Sequence, residues 1–81
     1  MKYVLDANVA LKWVLNEPES PQAVQLREEF RNGIHELLAP DIFPIEVAHA
    51  VARAERRGAV AVGDGFQKMV DVFTTMPDLH P

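Results

Sequence analysis

The sequence predicts an α/β fold in which short parallel strands alternate with pairs of helices. Three observations predict it. Brief apolar runs at Lys2–Leu5 and Glu36–Ala39 are too short and too evenly apolar for exposed helices. Each run stops abruptly, the first on Asp6 and the second on Pro40. The segments between and after them carry helical spacing with helix-start and glycine-stop signals. Strand, helices, strand, helices, strand is the order of a parallel sheet joined by right-handed crossovers.

The first strand, Lys2 to Leu5, ends on Asp6, and from Asn8 a short helix is predicted. Its apolar residues are Val9, Leu11, Trp13, Val14 and Leu15, and it stops before Pro18. Ser20-Pro21 starts the second helix, a capping residue followed by proline at the first helical position. Its apolar face runs Ala23, Leu26, Phe30, with Arg27, Glu28, Glu29 and Arg31 directed outward and Gly33 closing it.

Glu36–Ala39 is the second strand, closed by Pro40. Phe43-Pro44 opens a third helix that reaches about Arg57 and is closed by Gly58. Its middle, from Val47 to Ala52, is small and apolar on nearly every side. That is the pattern of a helix covered by the sheet on one face and by another helix or subunit on the other. A fourth helix spans roughly Asp64 to Thr75 with Phe66, Met69, Val70 and Phe73 on its apolar face. Pro77 follows, and Leu79-His80 begins a third strand.

The 81 residues make one small domain. A hydrophobic share of 48% and a charged share of 25% are those of a soluble globular chain. The absence of cysteine excludes disulfides and thiolate metal sites. No apolar run has the length of a membrane span and no signal-peptide pattern opens the chain, so a cytoplasmic protein without a membrane partner is expected. A net charge of −4 argues against nucleic-acid binding by overall charge. The only dense basic group, Arg53, Arg56 and Arg57, reads first as a solvated last helical turn, where cations suit the helix dipole. Any nucleic-acid chemistry must then rest on specific groups or on a partner's charge.

In parallel sheets, ligands bind outside the carboxyl ends of the strands. Asp6 lies at that end of the first strand, and Glu46 lies in the opening turn of the helix after the second. The two acids are therefore expected to converge on one crevice. Each has a housekeeping role when taken alone, Asp6 as a helix cap and Glu46 as a favourable charge at a helix start. Together they repel unless a cation sits between them. Mg²⁺ and Mn²⁺ take oxygen ligands and keep several waters, so few carboxylates suffice. Asn8 is placed to hydrogen-bond behind the ligands or to hold a metal-bound water, with a local turn or helix cap as its alternative.

Other features carry less. Glu46-Val47-Ala48-His49 has the Glu-x-x-His spacing of di-iron bundles, but such sites need the motif twice. His49 is then a neighbour of the crevice or a packed core histidine. His35 and His80 fall at loop or strand-end positions without an identifiable partner. Lys12 reads as a snorkelling lysine and Trp13 as a buried aromatic. There is no glycine-rich phosphate loop and no nucleophile elbow.

The stretches "VLDANVALKWVLNEP" and "LLAPDIFPIEVAHAVARAERRG", followed by "TTMPDLHP", resemble the N-terminal part of a PIN domain, closest to the VapC toxins of toxin–antitoxin pairs. The resemblance implies a PIN-like parallel sheet flanked by helices, in βααβααβ order and incomplete at the C-terminus. Residues 1–81 would be the N-terminal portion of a single such domain, lacking the later helix and strands. It implies a divalent-metal-dependent endoribonuclease using Mg²⁺ or Mn²⁺, with Asp6 and Glu46 as the first two catalytic, metal-binding acids and Asn8 as the supporting polar residue. RNA is then the substrate. A VapB-type antitoxin and a homodimer or higher oligomer are the implied partners.

This chain departs from the family in two places. His49 stands where asparagine is frequent, and the remaining family acids lie on a later helix and strand. Asp41, Asp64 and Asp71 belong before or within helices, and Asp78 sits ahead of the third strand, at the wrong edge of the sheet. None supplies a third ligand. The family's first strand is central, so here its far side is an unpaired apolar edge. That predicts self-association through this edge or through the small-residue third helix. The 81 residues alone are expected to be inactive or nearly so. The rival expectations are a non-catalytic remnant that pairs with an antitoxin or a full-length subunit, and an unrelated small α/β domain in which both acids only cap helices.

Overall fold

The computed structural model describes residues 2–81, in which three parallel strands carry four helices. Strand β1 (Lys2–Val4) leads into helices α1 (Ala7–Leu11) and α2 (Ser20–Arg31). Strand β2 (Glu36–Pro40) leads into α3 (Phe43–Arg56) and α4 (Gly65–Phe73), and β3 (Asp78–His80) follows. The observed order is βααβααβ, as the alternation of apolar runs and helical spacing predicts. Among the described residues no helix is long and apolar enough to cross a membrane.

The strands lie in the order β1-β2-β3, so β2 is central and β1 and β3 are edges. Lys2, Tyr3 and Val4 register with Glu36, Leu37 and Leu38, and Leu38, Ala39 and Pro40 register with Asp78, Leu79 and His80. Side chains alternate between the two faces of a sheet. Leu37 and Ala39 are buried among Leu5, Ala10, Leu11, Phe43 and Val47 in one hydrophobic core. The other face carries Val4, 78% exposed, with half-buried Leu38 and exposed Pro40 and His80. That face is open, which is unusual for a parallel sheet.

Helix α3 packs against both α1 and α4, burying Phe43, Val47, Ala50, Val51 and Ala54. Its small residues admit both neighbouring helices closely, where the sequence pattern predicts cover by the sheet on one face and a helix or subunit on the other. Helix α1 is shorter than its apolar pattern. After Leu11 the chain tightens into turns, with the N–H groups of Lys12, Trp13 and Val14 each donating three residues back. Trp13 and Leu15 are nonetheless buried. Ser20 is the first residue of α2 rather than its cap. Its hydroxyl accepts the Glu17 N–H at 2.9 Å and donates to the Leu15 carbonyl at 2.5 Å, which clasps the turn between the two helices.

Two expectations about faces are corrected. Arg27 does not point outward but is buried, 7% exposed. Its Nε donates to Thr75 Oγ1 at 2.9 Å, and its Nη2 donates to the Asp71 carbonyl at 2.7 Å and Thr74 Oγ1 at 2.8 Å. The Asp71 carboxylate lies 3.2 Å away, and the guanidinium sits 4.9 Å from the Trp13 ring centroid. A buried charge needs such partners. These come from the end of α4, far along the chain, so spacing within α2 does not reveal them.

The second correction is the rotation of α4. Phe66 was expected to face inward but is 71% exposed, while Val72 is fully buried. The cause is Gly65, which lies directly against α3. A Cβ there would stand 2.5 Å from Glu55 Oε2 and 2.8 Å from Val51 Cγ1. Glu55 Oε2 accepts the N–H groups of Gly63 at 3.2 Å and Gly65 at 2.7 Å, capping α4 from the neighbouring helix. The Asp64 side chain makes no capping bond. Contact at Gly65 turns Met69 and Val72 inward and leaves Phe66 and Val70 on the outer flank.

Candidate functional site

Pairing of the first strand extends one residue past β1, because the Leu5 N–H donates to the Leu38 carbonyl at 2.6 Å. Leu5 is buried, and the chain then leaves the sheet at Asp6 with extended backbone angles, φ −88° and ψ 142°. The Asp6 side chain thus emerges at the carboxyl edge of the sheet. Its Oδ1 accepts the Asn8 N–H at 2.7 Å, and its carbonyl accepts the Ala10 N–H at 3.0 Å. Asp6 is therefore the N-cap of α1. Its second carboxylate oxygen has no partner among the described residues.

Glu46 arrives from the other direction. Strand β2 ends at Pro40, the Asp41 N–H donates to the His80 carbonyl at 2.7 Å, and α3 begins at Phe43 with proline in its first turn. Glu46 is exposed in that first turn, and its side chain takes no hydrogen bond or ion pair among the described residues. Asp6 and Glu46 line one crevice of about 310 Å³ together with Val4, Leu5, Ala7, Pro40 and Phe43. Buried Leu5, Ala7 and Phe43 give it an apolar lining, with the two carboxylates as its only charged groups among the described residues. Among the described residues neither acid is neutralised by an ion pair, although most cations are paired.

Asn8 contributes its backbone N–H to Asp6, whereas its carboxamide makes no hydrogen bond among the described residues, and the residue is exposed. His49 is exposed one turn after Glu46, which overturns its reading as a packed core histidine. His35 has partners that its sequence position did not disclose. Its Nε2 lies 3.6 Å from Glu29, and its ring meets Tyr3 edge-on at 4.8 Å. Lys12 pairs with Glu19 at 3.2 Å, and Asp71 is engaged by Arg27. Asp78 is the first residue of β3, at the amino end of that strand.

Among the described residues no three His, Asp or Glu side chains gather closely enough to hold a metal by themselves. The crevice offers two carboxylates and no nitrogen or sulfur donor. That set suits a hard cation such as Mg²⁺ or Mn²⁺, which keeps much of its water shell. It does not suit zinc, which favours nitrogen and sulfur ligands. Set against protein-family models, curated proteins and solved structures, the chain matches none of them.

Proposed function

We propose that the Asp6–Glu46 crevice is the divalent-cation site of a metal-dependent endoribonuclease in a PIN-like fold, of the VapC toxin kind. The observation that carries the proposal is the convergence of two carboxylates free of ion pairs, from elements far apart in sequence, at the carboxyl edge of a parallel sheet. The free oxygen of Asp6 and the Glu46 carboxylate would hold the cation. The Asn8 N–H fixes the other oxygen of Asp6 and so sets how the free one is presented. When bound, Mg²⁺ or Mn²⁺ supplies an oriented water and screens the charge of the phosphodiester.

Two protein ligands leave a cation mostly in water, so the 81 residues alone turn RNA over slowly or not at all. The same donor count favours a second reading, a chain that binds its partners without cleaving RNA. In either case the partners we propose are RNA, a VapB-type antitoxin over the crevice and a second copy along the unpaired edge of β1, in the cytoplasm. The exposure of Val4 beside that edge supports the second copy. The test is cleavage of end-labelled RNA with Mn²⁺. Weak cleavage that Asp6→Asn and Glu46→Gln both abolish supports the nuclease. Cleavage unaffected by both variants overturns it, and RNA binding with no cleavage selects the second reading.

A further inference from the structure

We infer that the exposed face of α3 is a track for the phosphates of one RNA strand, leading from Glu46 at the crevice past His49 to Arg53 and Arg56. The inference rests on the ribonuclease reading and extends it by naming the side chains that hold the substrate. Lys2, Lys12, Arg27, Arg31 and Arg57 are each held by a carboxylate. Among the described residues Arg53, Arg56 and Lys68 are not. Two of those three unpaired cations share one helix with Glu46.

They also share its face. Glu46, His49, Arg53 and Arg56 follow one another at intervals of three and four residues, which a helix stacks on one side. All four are exposed, while Val47, Ala50, Val51 and Ala54 fill the opposite side. At about 1.5 Å per residue the track is about 15 Å long, with one group per turn. One turn of about 5.4 Å is comparable to the separation of successive phosphates on an extended strand. Ile42 and Ile45, 51% and 58% exposed, flank Glu46 and offer apolar surface to an unstacked base.

The helix dipole accounts for cations in the last turn, since the C-terminal end of a helix favours positive charge. It does not account for their alignment with Glu46 or for their freedom from ion pairs, when Arg57 beside them reaches Glu17 at 2.8 Å. With a net charge of −4 the chain repels a broad duplex backbone, so a narrow track suits a single strand.

The test is fluorescence anisotropy of a short fluorescein-labelled oligouridylate with the whole chain, in EDTA, over a range of salt. Removing metal separates strand binding from cleavage. Arg53→Ala/Arg56→Ala is expected to flatten the slope of log K against log salt by about 1.4, at about 0.7 per lost phosphate contact. Lys68→Ala on α4 is expected to leave the slope unchanged. An unchanged slope in the double arginine variant overturns the track. So does equal flattening by Lys68→Ala, or the absence of RNA binding by the folded wild type. Unchanged slope with cleavage that still needs Asp6 removes the track and keeps the nuclease. A flattened slope without cleavage dependent on Asp6 keeps the track and removes the nuclease.

Discussion

Asp6 Oδ1 accepts the backbone N–H of Asn8 at 2.7 Å, and that bond occupies one of the two carboxylate oxygens. Capping therefore leaves the other carboxylate oxygen of Asp6 available to the proposed cation. Replacing Asp6 by alanine removes the cap and is expected to cost about 1 kcal/mol in urea denaturation. Asp6→Asn keeps an oxygen for the Asn8 N–H and is expected to cost less than half of that, since asparagine caps about as well as aspartate. Equal losses in the two variants would show that the charge, not the cap, stabilises α1.

Arg27 joins α2 to the end of α4 and lies over Trp13, the only tryptophan of the chain. Arg27→Ala leaves the Thr75 hydroxyl only the longer 3.1 Å bond from Arg31 Nε and removes the guanidinium beside Trp13, an expected loss of about 2–4 kcal/mol. For a chain of this length, total stability is on the order of 4–12 kcal/mol. The variant should unfold at markedly lower urea, and Trp13 fluorescence reports it directly. Arg27→Lys retains the charge but loses the planar fork, so it should fall between alanine and wild type.

Gly65 and Glu55 form a second lock, between α3 and α4. Gly65→Ala places a Cβ within 2.8 Å of Val51 Cγ1, so a helix or a side chain must shift, at an expected cost of about 1–3 kcal/mol. Glu55→Ala removes the acceptor for the N–H groups of Gly63 and Gly65 and should cost about 1–2 kcal/mol. Because both substitutions act on one contact, the double variant should lose less than the sum of the single ones. Strict additivity in denaturation would separate the two roles.

Glu19 shows a pH effect of definite sign. Its carboxylate is held below the usual glutamate range, mainly by the hydrogen bond from Lys12 and further by the Lys12 charge. A depressed folded-state pKa stabilises the fold above the ordinary glutamate value. That contribution is lost as pH falls through the lowered one. Carbon-detected NMR titration should place the Glu19 midpoint below the ordinary glutamate value, and Lys12→Met should raise it. A Glu19 midpoint unmoved by Lys12→Met would refute the pairing.

The strand–helix order was legible because it rests on local signals: apolar runs, Ser20-Pro21, Gly33 and Gly58. The convergence of Asp6 and Glu46 was legible for a different reason, since parallel topology sends the carboxyl ends of β1 and β2 to one edge. What was not legible depends on contacts across the chain. Arg27 looks like a solvated residue within its own helix, and only Thr74, Thr75 and Asp71 make its burial affordable in free energy. The phase of α4 follows Gly65, whose lack of a side chain carries no hydrophobic signal. Glu55 could have been suspected from the lack of a capping bond at Asp64, but that absence is itself a structural fact.

If Asp6 and Glu46 together hold a divalent cation, as proposed, Mn²⁺ binding followed by electron paramagnetic resonance will depend on both. The wild-type chain is predicted to bind Mn²⁺ at one site. Asp6→Asn and Glu46→Gln are each predicted to weaken binding about tenfold or more, or about 1.4 kcal/mol, with unchanged circular dichroism. Mn²⁺ affinity identical in the wild type and both variants would contradict the proposal and leave Asp6 as a helix cap and Glu46 as a favourable charge at the start of α3, with no cation between them.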